Sequence, residues 1–143
     1  MPTNLRDLLS LHEGRVPFAY KDSLGYLTIG VGHLVDKAKG GKLPEHIIDL
    51  LLDYDIQKHQ AELASALPWV MGLDAVRLAV LTDMAFNLGV PGLLKFKDTL
   101  RAVQERRWKD AAREMLASTW ASQVGRRSAR LSQMMESGTW PVN

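Results

Sequence analysis

The 143-residue sequence predicts an α+β, mostly helical fold, with a small N-terminal lobe holding an antiparallel sheet, a long linking helix and a larger helical lobe. Three observations point there. Strand-forming residues interleaved with glycines are confined to residues 18–34. Apolar residues recur at helical spacing from Pro44 almost to the end. No internal repeat or low-complexity tract suggests an array. A chain of this size buries roughly two thirds of the surface its unfolded form exposes, so one domain over residues 1–143 needs no metal or disulfide staple.

Each element follows from local residues. Over residues 4–13 Leu5, Leu8, Leu9 and Leu11 are mostly spaced for one helical face, Thr3 or Asn4 can cap the start, and Gly14 supplies a stop. Tyr20, Tyr26, Thr28, Ile29 and Val31, punctuated by Gly25, Gly30 and Gly32, predict a small antiparallel sheet with a turn near Asp22–Gly25. Lys37–Lys42 reads as a flexible connector. Pro44 suits a first helical turn, and the linking helix is expected over about 44–67, with a break at Leu67-Pro68. Helix resumes from about Asp74 to Leu88 and continues in short pieces to about Glu136. The small lobe thus spans about 14–55, and the helical lobe about 68–143 together with the N-terminal helix. Trp69, Trp108, Trp120 and Trp140 are expected to pack the core rather than stack on a ligand. A cleft between lobes is the natural place for a ligand.

Composition removes several chemistries. With no cysteine there is no thiol nucleophile, thiolate metal site or disulfide. No phosphate-cradling Gly-x-x-x-x-Gly-Lys loop is present, and His12, His33, His46 and His59 lack the spacing of a zinc hydrolase. Neither metal nor organic cofactor is expected. The N-terminus has no apolar signal core, and the longest apolar runs are too short to span a bilayer, so synthesis ending in the cytoplasm and no stable membrane insertion are expected. Residues 1–100 carry 10 Lys/Arg against 12 Asp/Glu, whereas residues 101–143 carry 8 against 4. This basic C-terminal stretch suits an anionic wall polymer, an anionic lipid or nucleic acid, or it is an ordinary solvated face.

What remains is a cluster of acids and a hydroxyl where helix gives way to sheet: Glu13, Asp22 and Thr28. At the end of a helix the Glu13 carboxyl sits near the negative pole of the macrodipole, which disfavours ionisation, while Asp22 in a solvated turn stays charged. An acid kept protonated and a second carboxylate are the minimal machinery of glycoside hydrolysis. The same residues also read as a helix end and a surface turn.

A longer pattern distinguishes these readings. Residues 11–34 contain Glu13-Gly14, Tyr20-Lys21-Asp22, Gly25-Tyr26, Thr28-Ile29-Gly30 and Gly32-His33, with Glu, eight residues, Asp, five residues, Thr as the frame. This resembles the signature of phage-type lysozymes, the T-even-type endolysins in particular. Asp74-Ala75-Val76-Arg77, Phe86-Asn87-Leu88-Gly89, Arg107-Trp108-Lys109-Asp110-Ala111-Ala112 and Gly138-Thr139-Trp140 extend the likeness over nearly the whole chain. The resemblance implies a lysozyme-like fold and a muramidase that cuts the β-1,4 bond between N-acetylmuramic acid and N-acetylglucosamine of peptidoglycan with inversion. It implies Glu13 as general acid, with Asp22 and Thr28 holding and activating the attacking water.

By the same resemblance Leu34 and Phe86 line the saccharide cleft, and Asn87, Thr99 and Glu114 fall at further substrate contacts. Asn87 and Glu114 differ in type from the residues expected there. Arg127 aligns with an arginine that approaches the acid, and His33 with Asp55 corresponds to a structural ion pair. The stretch between His33 and Pro44 is shorter than in longer relatives, which shortens the small lobe. A monomeric, bacteriolytic endolysin of this kind would gather in the host cytoplasm and reach the periplasm and wall through a phage holin. Three other readings stay open: a lytic transglycosylase, an idle peptidoglycan-binding module, and a nucleic-acid-binding helical domain. The last lacks any readout motif, so no nucleic-acid partner is expected.

Overall fold

A computed structural model describes residues 2–21, 24–30, 33–35 and 41–141, with the backbone alone at Glu13 and Phe18. Asp22, the start of the turn expected at 22–25, and most of the connector at 37–42 lie outside the described residues. The chain divides into two compact units, Met1–Leu51 and Leu52–Asn143. The fold is α+β and mostly helical, a small antiparallel sheet followed by a helical region.

In the first unit, α1 (Leu5–Glu13) starts at Asn4, whose side chain accepts from the Asp7 N–H at 2.9 Å. It stops where Gly14 takes φ 78°, a backbone angle that a side chain would strain. Strands β1 (Val16–Lys21), β2 (Leu27–Gly30) and β3 (His33–Leu34) form an antiparallel sheet in that order. Tyr20 pairs with Thr28 and Lys21 with Leu27, while Val16 meets Gly30 across an irregularity. On its other edge β2 sets Thr28 opposite Leu34 and Ile29 opposite His33.

Helix α2 (Glu45–Ala66) runs through the boundary at Leu51/Leu52, and a 3-10 turn (Pro68–Gly72) follows where Pro68 breaks it. Helix α3 (Ala75–Leu88) is capped by Asp74, whose carboxylate accepts from the Arg77 N–H at 3.0 Å. Four short helices then lead on: α4 (Val90–Leu93), α5 (Lys97–Gln104), α6 (Trp108–Leu116) and α7 (Thr119–Val124). Helix α8 (Arg126–Ser137) ends at Gly138 in the left-handed region. The α5–α6 corner also needs that region, but there Arg106 supplies it at φ 60°.

The core belongs to the second unit. Leu63, Val70, Val80, Leu81, Met84, Leu93, Val103, Met115 and Met135 are fully buried. The small residues Ala111 and Ala112 sit on the buried face of α6, which packs against α5 and α8. Trp120 is buried, and Trp69 and Trp108 pack partly buried against this cluster. Trp140 corrects the sequence expectation, because it lies beyond the end of α8 and is 61 % exposed.

Candidate functional site

The first unit carries Glu13, Thr28 and Leu34. Glu13 is the last residue of α1, so its backbone lies at the helix C-terminus, where orphan carbonyls gather partial negative charge. Thr28 holds the middle of the central strand and is 5 % exposed. Its hydroxyl donates to the Tyr26 carbonyl at 3.2 Å. A hydroxyl has one proton and two lone pairs, so once that proton is committed Thr28 faces a ligand as an acceptor. The sheet register brings Thr28 and Leu34 together as directly opposed cross-strand neighbours. Leu34 is exposed beside it. Lys21, the last residue of β1, pairs with Leu27 next to Thr28.

The second unit gathers the other expected residues in two hollows. The first, of about 330 Å³, is lined by Leu52, Ile56 and Gln60 of α2, by Ala79, Thr82, Asp83 and Phe86 of α3, and by Arg127 of α8. Arg127 is held there by Asp83: its Nε and Nη2 donate to one carboxylate oxygen at 2.8 and 2.7 Å, and Nη2 reaches the Asp83 carbonyl at 3.3 Å. Thr82 donates to the Leu78 carbonyl at 2.8 Å and accepts from the Gln60 amide at 3.2 Å. Phe86 is 40 % exposed and packs on His59 with ring centroids 4.9 Å apart. The buried His59 Nδ1 has no hydrogen-bond partner among the described residues.

The second hollow, a groove of about 450 Å³, runs between the start of α5 and the α6–α7 corner. Thr99, Glu114, Phe96 and Trp120 line it, with Lys95 and Lys97 among its other walls. Trp120 meets Phe96 edge to face at 6.0 Å, and its indole N–H donates to the Asn87 Oδ1 at 2.8 Å. Phe86 and Arg127 therefore share one hollow, Thr99 and Glu114 the other, and Trp120 ties Asn87 to the second.

Sequence reasoning missed Asp83, and it missed Trp120 as the partner of Asn87. These pairs lie 44 and 33 residues apart, and no local periodicity or motif links them. Among the described residues no three His, Asp or Glu side chains converge as a metal-binding group, and no helix is long and apolar enough to cross a membrane.

Comparison with known proteins places these features in a family. The phage lysozyme family model matches residues 10–135. Probable T4-type lysozyme 1 and probable T4-type lysozyme 2 of Dictyostelium discoideum are each 32 % identical, with 97 % of this chain and 97 % of the relative covered. Both alignments run over 165 residues, more than the 143 of this chain, so each relative carries residues that this chain lacks. The pre-baseplate central spike protein Gp5 of Enterobacteria phage T4 is 25 % identical over 94 % of this chain and 28 % of its own length. The chain belongs to the phage lysozyme family.

Proposed function

We propose that this lysozyme-type glycan hydrolase is an inverting muramidase that cuts the β-1,4 bond between N-acetylmuramic acid and N-acetylglucosamine in peptidoglycan. The observation that carries the reading is the acceptor-only hydroxyl of Thr28 at the centre of the sheet, in the Glu13, Asp22, Thr28 frame. A water that donates one proton to Thr28 Oγ1 and the other to the Asp22 carboxylate turns a lone pair outward toward the anomeric carbon.

The chemistry then balances in one displacement. Glu13 gives its proton to the glycosidic oxygen as the bond from that oxygen to the anomeric carbon breaks. The water adds from the opposite face and loses a proton to Asp22, leaving an inverted hemiacetal and a free sugar hydroxyl. An attacking water between sugar and base requires the two carboxyls to stand roughly 6.5–9.5 Å apart. In this reading Glu13, the last residue of α1, acts in its protonated form. In this reading Leu34, Phe86, Asn87, Thr99, Glu114 and Arg127 hold the glycan. The protein works as a monomeric endolysin that gathers in the host cytoplasm, reaches the wall through a holin, and lyses the cell.

The test is clearing of purified peptidoglycan by wild type and by Glu13→Gln, with the released ends reduced and weighed and the new anomer read by NMR. Clearing by wild type alone, with reducing muramic acid ends of inverted configuration, is expected. Anhydro ends would indicate a transglycosylase instead, and equal clearing by both proteins would remove Glu13 from the mechanism.

A further inference from the structure

A third hollow, of about 290 Å³, lies where the start of α6 meets the end of α8. It is lined by Arg107, Trp108, Lys109, Asp110 and Glu136, and shares no residue with the two hollows described above. Arg77 covers one face of the Trp108 ring at 3.9 Å and so holds the ring in place. The indole N–H has no acceptor among the described residues. It is not buried either, because the one buried side-chain polar atom left unpartnered among them is His59 Nδ1. Trp108 therefore presents a fixed, solvent-open donor at the hollow.

Its neighbours divide into two kinds. Arg107 and Asp110 are committed to each other and to Glu105 and Arg113. The exposed side chains of Lys109 and Glu136 make no hydrogen bond or ion pair among the described residues. The hollow thus offers two free donors and a free acceptor beside an aromatic edge. Trp140 adds apolar surface. It stands two residues past Gly138, hence within roughly 7 Å of it, and Gly138 lies against Arg77. Largely exposed there, Trp140 leaves most of a ring uncovered.

Resting on the muramidase reading, we propose that this corner is a second glycan-binding site, separate from the residues which that reading assigns to the substrate, and that it holds a sugar ring of a peptidoglycan strand. A sugar carries hydroxyls and an acetamido group that both give and take hydrogen bonds, and C–H faces that rest on aromatic rings. Trp108 Nε1 and Lys109 Nζ donate to its oxygens, Glu136 accepts from its hydroxyls, and Trp140 supplies the apolar surface. An anionic lipid surface fits less well, because the carboxylates of Asp110 and Glu136 repel it. One fixed donor and a few side chains make a weak contact, but on an insoluble polymer a weak second contact raises the effective concentration of substrate at the first.

The test follows the indole N–H signals by NMR as stem-stripped glycan strands are titrated into the Glu13→Gln protein, with Trp108→Phe and Trp140→Phe assigning the two signals. Both should shift, and Glu136→Ala, which leaves in place the backbone carbonyl that Arg77 holds, should reduce the Trp108 shift. Pelleting with insoluble wall should give an apparent Kd about fivefold higher in Glu136→Ala and in Trp140→Ala, whereas Glu136→Gln, which keeps an acceptor oxygen, should stay within about twofold. Signals unmoved by strands, or wall binding equal in wild type, Glu136→Ala and Trp140→Ala, would overturn the proposal. Shifts produced by phosphatidylglycerol vesicles and not by strands would overturn it too, and make the corner a lipid contact. Hydrolysis by the wild type without the Trp108 and Trp140 shifts retires this inference only. Those shifts in a protein that never hydrolyses retire the muramidase reading and leave the second site standing.

Discussion

The guanidinium of Arg77 lies 3.9 Å from the ring centroid of Trp108 and from there reaches the last turn of α8. Its Nε donates to the Met135 carbonyl at 2.7 Å and its Nη2 to the Glu136 carbonyl at 2.9 Å, two of the acceptors that a helix end leaves without intrahelical donors. One side chain from the first turn of α3 thus fastens α8 and stacks on the first residue of α6. Gly138 completes the arrangement, because a Cβ there would meet Arg77 Nη1 at 2.8 Å. Arg77→Ala should cost about 2–4 kcal/mol in urea unfolding, from two charge-assisted hydrogen bonds and the ring contact. Gly138→Ala should cost about 1–2 kcal/mol, from its φ of 70° and the crowding. In the Arg77→Ala background only the backbone part of that cost should remain, so the two effects should fall short of additivity.

Arg106 sits at φ 60°, where a side chain strains the backbone, and the Arg107 N–H beyond it closes on the Ala102 carbonyl at 2.8 Å. Arg106→Gly should raise the thermal midpoint. Relief of left-handed strain outweighs the extra freedom glycine gives the unfolded chain, for a gain of about 0.5 kcal/mol.

Asp74 gives the fold a dependence on acid. Its partial burial opposes ionisation, but the Arg77 N–H, the Arg77 guanidinium and its charge outweigh that and hold the carboxyl below the usual carboxylate range. A lowered folded pKa means that the stabilisation is present above the unfolded value, near pH 4, and is lost as pH falls through the folded value. Because Asp74 is 43 % exposed, solvent screening limits the contribution to below about 1 kcal/mol. Asp74→Asn, which retains a capping oxygen, should unfold slightly more easily than wild type at pH 7. The difference should shrink to nothing in urea titrations taken well below pH 4.

Thr28 separates hydroxyl chemistry from strand packing. Thr28→Val keeps the branched shape that a central strand favours but removes the oxygen. Initial clearing rates should fall about a hundredfold or more while the circular dichroism melt moves little. Thr28→Ser keeps the hydroxyl and should stay within about tenfold of wild type. Equal losses in the two variants would mean that shape rather than oxygen matters at this position.

Elements that rest on local chemistry were legible in the sequence. The Asn4 cap, the Gly14 stop, the break at Pro68 and the Asp74 start each depend on residues within one turn, and each stands where the spacing puts it. Of the strand formers, Tyr20, Thr28 and Ile29 lie in strands for the same reason, whereas Tyr26 stands just before β2. The family and the mostly helical α+β class were legible through a motif of fixed spacing. Contacts closed by the tertiary fold were not. Asp83 reads as one more charge on a helix until α8 brings Arg127 to it, and Trp120 reads as one more core aromatic until its indole is found on Asn87. Trp140 misled because size and apolarity argue for burial, whereas its place after the Gly138 stop leaves it 61 % exposed.

The distribution of the core has a consequence for how the protein fails on heating. Among the described residues every buried hydrophobic side chain lies at Leu63 or beyond, whereas Thr28 is the one buried residue before it. A region with few apolar contacts opens by local fluctuations long before the whole chain unfolds. The sheet that carries Thr28 should therefore exchange its amide hydrogens through openings far shallower than those exposing α3, α6 and α8. Inactivation on warming should then run ahead of the calorimetric transition and reverse on cooling, as loss of order in the sheet and not in the helical core.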